Sequence, residues 1–201
     1  MAKKIITIFA LAGLAIPMTV PLASVQPKTV QAKKTNKNKY GFAKQFKFPK
    51  TWRGKWYSNN NFTPNPMIIH ASAINMPLTN DYFKVIKVGM VKGTKKYPWE
   101  MPSAWQEENQ SVLGKYLRAS SKKMHGSKWI ILSPVQEKAI KNGNAFTVKT
   151  EKIAGKKHKV LFQSNPEDGL VTNQFFKTKS ITNKYSAFEF KDMKYSKVNP
   201  R

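Results

Sequence analysis

Apolar residues fall into two different patterns along this chain. Ile5 to Val20 is an apolar run interrupted only by Thr7, Gly13, Pro17 and Thr19. From Phe48 onward the dominant period is two, the alternation of strands with one buried face. Met67–Ile74, Tyr82–Val88 and Lys128–Leu132 are short runs rich in β-branched and aromatic residues. Phe146, Val148 and Thr150 alternate with Thr147, Lys149 and Glu151. The turn signal Ala154-Gly155-Lys156 then predicts that His158–Phe162 runs back as a hairpin partner. A second turn, Asn165–Gly169, precedes Thr172–Lys177 and Ala187–Lys191. With Gly54–Ser58 and Val112–Ala119, the pattern predicts about nine strands, an all-β antiparallel barrel or sandwich. Two short helices are expected beside them. Ser103-Ala104-Trp105-Gln106 has capping-box spacing and opens a polar stretch to Gln110. Ser133-Pro134-Val135-Gln136 repeats that spacing with proline at the first helical position, and it would run to Lys141.

The first apolar run reads as an export signal. Lys3 and Lys4 precede it, and Val30-Gln31-Ala32 offers small or β-branched residues at the positions a signal peptidase reads. A spanning helix needs about 20 mostly apolar residues, whereas Pro17 and Pro21 break this run near its end. The expectation is a cleaved signal over residues 1–32 and a mature protein secreted to the extracellular side. Cysteine is absent, so neither a lipid anchor on a thiol nor a disulfide is available, and the apolar core must hold the fold. Lys33 to Lys47 is polar, basic and without periodicity, which predicts a disordered basic arm. Residues 48–201 are expected to form a single domain.

Charge narrows the partners. The chain carries 36 Lys+Arg and 10 Asp+Glu; three of the basic residues (Lys3, Lys4, Lys28) precede Lys33, leaving 33 against 10, a net of +23. Arg53, Arg118 and Arg201 are the only arginines. Sequence-specific readers of nucleic acid rely on the planar arginine fork, so that class is not expected. Lysine is a hydrated point charge suited to loose attraction toward polyanions. Outside a cell these are anionic wall polymers or lipid head groups, with Lys33, Lys34, Lys37 and Lys39 of the arm as contacts.

No catalytic constellation emerges. His70, His125 and His158 are isolated and lack zinc-binding spacing. There is no Gly-x-Ser-x-Gly elbow and no thiol nucleophile. Glu107-Glu108 and Glu167-Asp168 are sequence neighbours, a poor arrangement for carboxylates that must face each other across a glycosidic bond. No catalytic residue, metal ligand or cofactor is therefore assigned. Trp99 and Trp105, in a segment with Pro98 and Pro102, are candidates for a lid or a stacking platform, or simply for a loop tucked onto the sheet.

Phe48-Pro49-Lys50-Thr51-Trp52-Arg53-Gly54-Lys55-Trp56-Tyr57 resembles the opening motif of a family of secreted proteins from lactic-acid bacteria. Lys159–Ser164, Phe175–Lys179 and Phe190–Tyr195 are similar to that family too. The resemblance implies secretion but carries no activity. Gly54-Lys55-Trp56 is also similar to the Gly-x-Trp motif on the first strand of lipocalin-like, or calycin-like, barrels. It implies that Gly54 allows a tight bend and that Trp56 plugs one end, at the floor of any ligand cavity. In lipocalins an arginine near the last strand packs over that tryptophan and a helix follows. With the last strand expected at Phe188–Tyr195, Lys191 and Lys194 are present but no arginine is, and no helix can follow. These departures place the expectation at a lipocalin-like barrel rather than a true lipocalin.

The function expected from sequence is a monomeric, non-catalytic binder of a small apolar or amphiphilic ligand, or of an anionic wall polymer. The alternatives are an enzyme acting on wall or polysaccharide substrates and an antagonist of another secreted protein. Lysine-based wall association should be lost from whole cells in moderate salt, because such contacts are screened. Retention on cells washed with about 1 M NaCl, where the screening length is about 3 Å, would overturn it.

Overall fold

The period-two runs become ten strands in the computed structural model, which describes residues 37–59 and 65–197. The signal peptide expected over residues 1–32, and Lys33 and Lys34 of the expected arm, lie outside the described residues. The strands are β1 (Phe42–Gln45), β2 (Gly54–Trp56), β3 (Met67–Ile69), β4 (Ala73–Asn75), β5 (Tyr82–Val88), β6 (Tyr116–Met124), β7 (Ser127–Pro134), β8 (Asn144–Ile153), β9 (Lys156–Ser164) and β10 (Val171–Phe176). Helices α1 (Ser103–Glu108) and α2 (Gln110–Leu113) lie between β5 and β6, and α3 (Lys179–Tyr185) follows β10. The sheet runs from β10 through β9, β8, β7, β6, β5, β4 and β3 to β2. β6 lies on one edge of β5; β4 and β1 lie end to end along the other.

Alternation decides which side chains meet. Trp56, Met67, Ile69, Ile74, Val85, Ala119, Ile130, Leu132, Phe146, Leu161 and Phe175 form one buried cluster with Phe48 and Trp52. Every strand from β2 to β10 contributes to it, so one face of the whole sheet converges on a common core. The opposite face of β6–β10 has its own cluster, which includes Trp129, Ile131, Val160, Phe162 and Phe176, covered by Phe190 and Met193 of the C-terminal segment. Both faces of β7 are thus covered, which explains why Trp129-Ile130-Ile131-Leu132 is apolar without alternation. Fully burying one such side chain is worth about 1.5–3 kcal/mol.

The domain is β-rich, as the pattern predicts, but the sheet is mixed rather than antiparallel. β5 and β6 run parallel, because the α1–α2 connection carries the chain back to start β6 beside β5. A closed barrel is not formed by continuous ladders. The outermost strands are joined by one antiparallel bridge, in which Tyr57 N–H donates to the Phe176 carbonyl and Phe176 N–H to the Tyr57 carbonyl, both at 2.8 Å.

Other expectations fail where tertiary contacts or a turn override the local pattern. Part of the predicted arm is built into the sheet: Lys37–Tyr40 is a 3-10 turn, and β1 pairs with β5 because Phe42 is buried against Ile86, Leu113 and Val135. Met67–Ile74 is two strands, since His70 N–H donates to the Ala73 carbonyl across a turn. Val112 and Leu113 belong to α2, and Leu113 is fully buried there. Ser133 and Pro134 end β7 by pairing with Arg118 and Leu117, so the second predicted helix shrinks to a 3-10 turn at Ile140–Asn142. Ala187–Lys191 is no strand; Phe190 packs edge-on against Phe162 and its N–H donates to Tyr195 Oη.

Gly143 marks where β8 starts beside β7. A Cβ there would lie 2.4 Å from the Leu132 carbonyl oxygen and 2.9 Å from Ser133 Cβ. Gly143→Ala should therefore lower stability by about 2 kcal/mol, the scale of an overpacked core. Gly155→Ala, with nothing within 4 Å but φ +82°, should lose only about 1 kcal/mol. Denaturant midpoints of the two variants check the order.

Candidate functional site

The two long hairpins flank a cleft in the sheet. β6–β7 is paired to its tip, Met124 with Ser127, and β8–β9 to its tip, Ile153 with Lys156. Between the hairpins only Ile130, Ile131 and Leu132 pair with Phe146, Ala145 and Asn144. Past that point β7 leaves β8. The tip of β6–β7 is held instead by the loop after β9. Lys122 Nζ donates to the Pro166 and Glu167 carbonyls (3.1 Å each), and His125 Nε2 donates to the Asp168 carbonyl (2.6 Å). A carbonyl oxygen can only accept, which fixes the proton on Nε2. Gly169 lies close under Met124 and His125, and Trp129 and Met124 join the cluster on the covered face. One side-chain tie crosses the parting: Thr147 Oγ1 donates to the Lys128 carbonyl at 3.0 Å.

A cleft of about 600 Å³ occupies this parting. Ser127, Lys128 and Ile130 of β7 form one wall with Ser121 of β6, and Thr147, Val148 and Lys149 of β8 form the other. Phe46, Lys47, Pro49 and Trp52 close it from the segment between β1 and β2, with Lys87 of β5 beside them. Phe46, Trp52, Ile130 and Val148 also belong to the convergent core, so the base of the cleft is the surface of that core. The lining contains four lysines and three hydroxyls but no carboxylate, imidazole or thiol. Lys149 pairs with Asp192 of the C-terminal segment. Burial, reinforced by the charge of Asp192, raises the pKa of the nearby Glu151 carboxyl, while Lys149 opposes the rise.

Of the tryptophans singled out from sequence, none lines this cleft. Trp56 is fully buried, donating its indole N–H to the Trp52 carbonyl at 2.6 Å. Trp99 stacks on Tyr97 at 4.7 Å, with the Arg118 guanidinium 4.6 Å from its ring. Burial lowers the Arg118 pKa, and Glu137 acts against that. Trp105 packs against the Phe42–Leu113–Val135 cluster, so this segment is tucked onto the sheet. Lys39 is exposed and lies beside the Tyr40 ring; Lys37 begins the 3-10 turn. Trp52, one turn before Trp56, is the tryptophan that lines the cleft. Its place in the same opening segment was the available signal, but sequence alone does not tell a plug from a wall.

At the other side of Trp56 lies an arrangement that the sequence concealed. The last strand is β10, not Phe188–Tyr195, and the residue after it, Lys177, places its ammonium 3.6 Å from the Trp56 ring centroid. Lys177 Nζ also donates to the Arg53 carbonyl at 2.8 Å. Gly54, at φ +104°, passes directly beneath: a Cβ there would be 3.6 Å from Lys177 Nζ. A basic residue does cover the tryptophan, and a helix, α3, does follow the last strand. Thr182 of α3 donates to the Tyr57 carbonyl at 3.2 Å, tying the helix to β2. Burial, with a smaller contribution from Lys159, pushes the Lys177 ammonium down to about 8.

Among the described residues no group of three or more His, Asp or Glu is placed to hold a metal ion. No helix of the described residues is long and apolar enough to cross a membrane. No family model matches the chain, and no curated protein or solved structure matches it.

The Lys177 shift has a measurable sign. Between about pH 8 and the ordinary lysine value of 10.5, the unfolded chain binds more protons than the folded one, so stability from this group rises with pH. Below about 8 both states are charged and the contribution is flat. Relative to Lys177→Met, the wild-type melting temperature should climb from pH 8 to 10, and an NMR titration of Lys177 should give a midpoint near 8. Parallel melting curves would contradict the assignment.

Proposed function

We propose that this protein is a secreted, non-catalytic, lipocalin-like β-barrel that binds a small amphiphilic ligand in the cleft between its two long hairpins. The observation that carries the reading is the cleft itself, about 600 Å³ with an apolar base and a polar rim. That volume lies within the about 300–1,000 Å³ typical of small-molecule sites. Its lining offers surfaces for contact and groups for orientation.

The barrel reading is supported by the convergence of β2–β10 on one core and by the Tyr57–Phe176 bridge between the outer strands. The lipocalin-like reading is supported by the 3-10 turn at Lys50–Trp52 before β2, by Lys177 over Trp56 and by α3 after β10. The expected export signal, and an opening motif that resembles that of secreted proteins of lactic-acid bacteria, support extracellular work. Association with an anionic wall is favoured by a separate feature. Lys123 faces Lys128 and Lys152 faces Lys157 directly across antiparallel pairs. Facing like charges destabilise a sheet, and a polyanion laid over them removes that penalty.

A neutral apolar fluorophore such as N-phenyl-1-naphthylamine tests the cleft. Saturable fluorescence enhancement is expected, with binding at least about tenfold weaker in Val148→Trp, which fills the cleft from a half-buried position. Ser121→Trp, at an exposed position on the opposite wall, should weaken it likewise. Absence of saturable enhancement in the wild-type protein would refute the reading.

A further inference from the structure

We infer that the cleft selects a single-chain amphiphile with an anionic head, an inference that rests on the cleft being the ligand site. Three observations point there together. The first is an imbalance of charge. Lys47, Lys87, Lys128 and Lys149 line the cleft without a carboxylate. Lys149 is compensated from outside by Asp192, whereas among the described residues Lys47, Lys87 and Lys128 have no carboxylate partner. Lys87 lies 5.4 Å from the Phe46 ring centroid, and that ring supplies only a weak cation–π contact. The mouth therefore presents ammonium groups whose attraction is unspent until an anion arrives.

The second observation is how the polar and apolar groups are sorted. Lys47 and Lys128 are exposed at the rim, while Trp52 and Ile130 are buried at the base. A ligand matched to that gradient has its charge at one end and hydrocarbon at the other. A free inorganic anion would leave the base wet, and a sugar polymer would lay hydroxyls against Ile130 and Val148. The third observation is the shape. The cleft follows the parting of β7 from β8 and is flanked on both sides by paired hairpins, which suits one extended chain rather than a two-chain lipid. The head is held by Lys87 and Lys128, with Ser121 and Ser127 as neutral donors to its oxygens, and the chain lies along Trp52, Ile130 and Val148.

Asp192 then acts as a specificity residue at second hand. It is half-exposed and neutralises Lys149, so its removal adds one free ammonium to the cleft without touching the core.

Displacement of N-phenyl-1-naphthylamine by amphiphiles of identical chain, each below its micelle concentration, tests the inference. Dodecyl phosphate should displace the probe at a concentration about tenfold lower than dodecyl maltoside or dodecyltrimethylammonium, the effect of two modest charge contacts. Lys87→Gln combined with Lys128→Gln should erase that preference while leaving dodecyl maltoside unchanged. Asp192→Asn, at an exposed position, should strengthen dodecyl phosphate about threefold. Equal displacement by the three amphiphiles would overturn the anionic head and leave the cleft as an apolar site. Displacement by inorganic phosphate as strong as by dodecyl phosphate would overturn the amphiphile. A probe that never binds the wild-type protein would remove the cleft reading and this inference with it.

Discussion

The Trp56 indole lies where the two ends of the sheet come together. It is fully buried, its N–H meets the Trp52 carbonyl at 2.6 Å, and the Lys177 ammonium sits over its ring. One residue further along each strand, Tyr57 and Phe176 exchange two backbone hydrogen bonds. β2 and β10 are 115 or more residues apart in the chain, as the Ser58–Asn173 hydrogen bond illustrates. Bringing such distant segments together costs loop-closure entropy that local contacts do not offset. A large aromatic surface, the backbone bridge and a helix tied across it concentrate interaction at that junction. Gly54 follows from this constraint: a side chain at φ +104° would be strained, and it would point at the Lys177 ammonium.

Away from that junction the sheet is less continuous. Two long, fully paired hairpins meet over three residue pairs only. The tip of β6–β7 is drawn to the 165–169 loop by Lys122, which donates to the Pro166 and Glu167 carbonyls, and by His125, which donates to the Asp168 carbonyl. Trp129 packs on the covered face because of that turn, and the cleft opens on the convergent side. The same contacts that complete the second core therefore expose the edge of the first. Thr147 ties the two walls of the cleft by donating to the Lys128 carbonyl.

Lysine does two different jobs in this frame. Many of the ammonium groups among the described residues are exposed and give the chain its positive surface. A few are structural: Lys177 caps Trp56, Lys122 anchors a loop, and Lys149 holds the C-terminal segment through Asp192. The excess of lysine behind the first aspect is expressed directly by sequence composition.

Much of the secondary structure was legible because its cause is local. Tyr82–Val88, the Phe146–Phe162 hairpin around Ala154-Gly155 and the strand before Lys177 announce themselves by period and turn chemistry, and Ser103–Glu108 by its spacing. The misread segments are those where a distant partner overrides local pattern. Phe42 leaves a basic arm for the sheet because Ile86 and Val135 are waiting, and Pro134 ends a strand rather than starting a helix because Leu117 pairs with it. The Phe188–Phe190 alternation is spent on covering Phe162 rather than on a ladder. Of the cleft, sequence supplied the residue types and the excess of lysine, and the opening segment already contained Trp52. Which of them face one another depends on where β7 parts from β8, a choice made between two whole hairpins. Sequence by itself determined the β-rich class, the lysine surface and the expected export. Tertiary structure alone decided that Lys177 covers Trp56 and that four lysines surround an apolar cleft. The physical reason is that long-range pairing and burial are shared by segments that carry no local trace of each other.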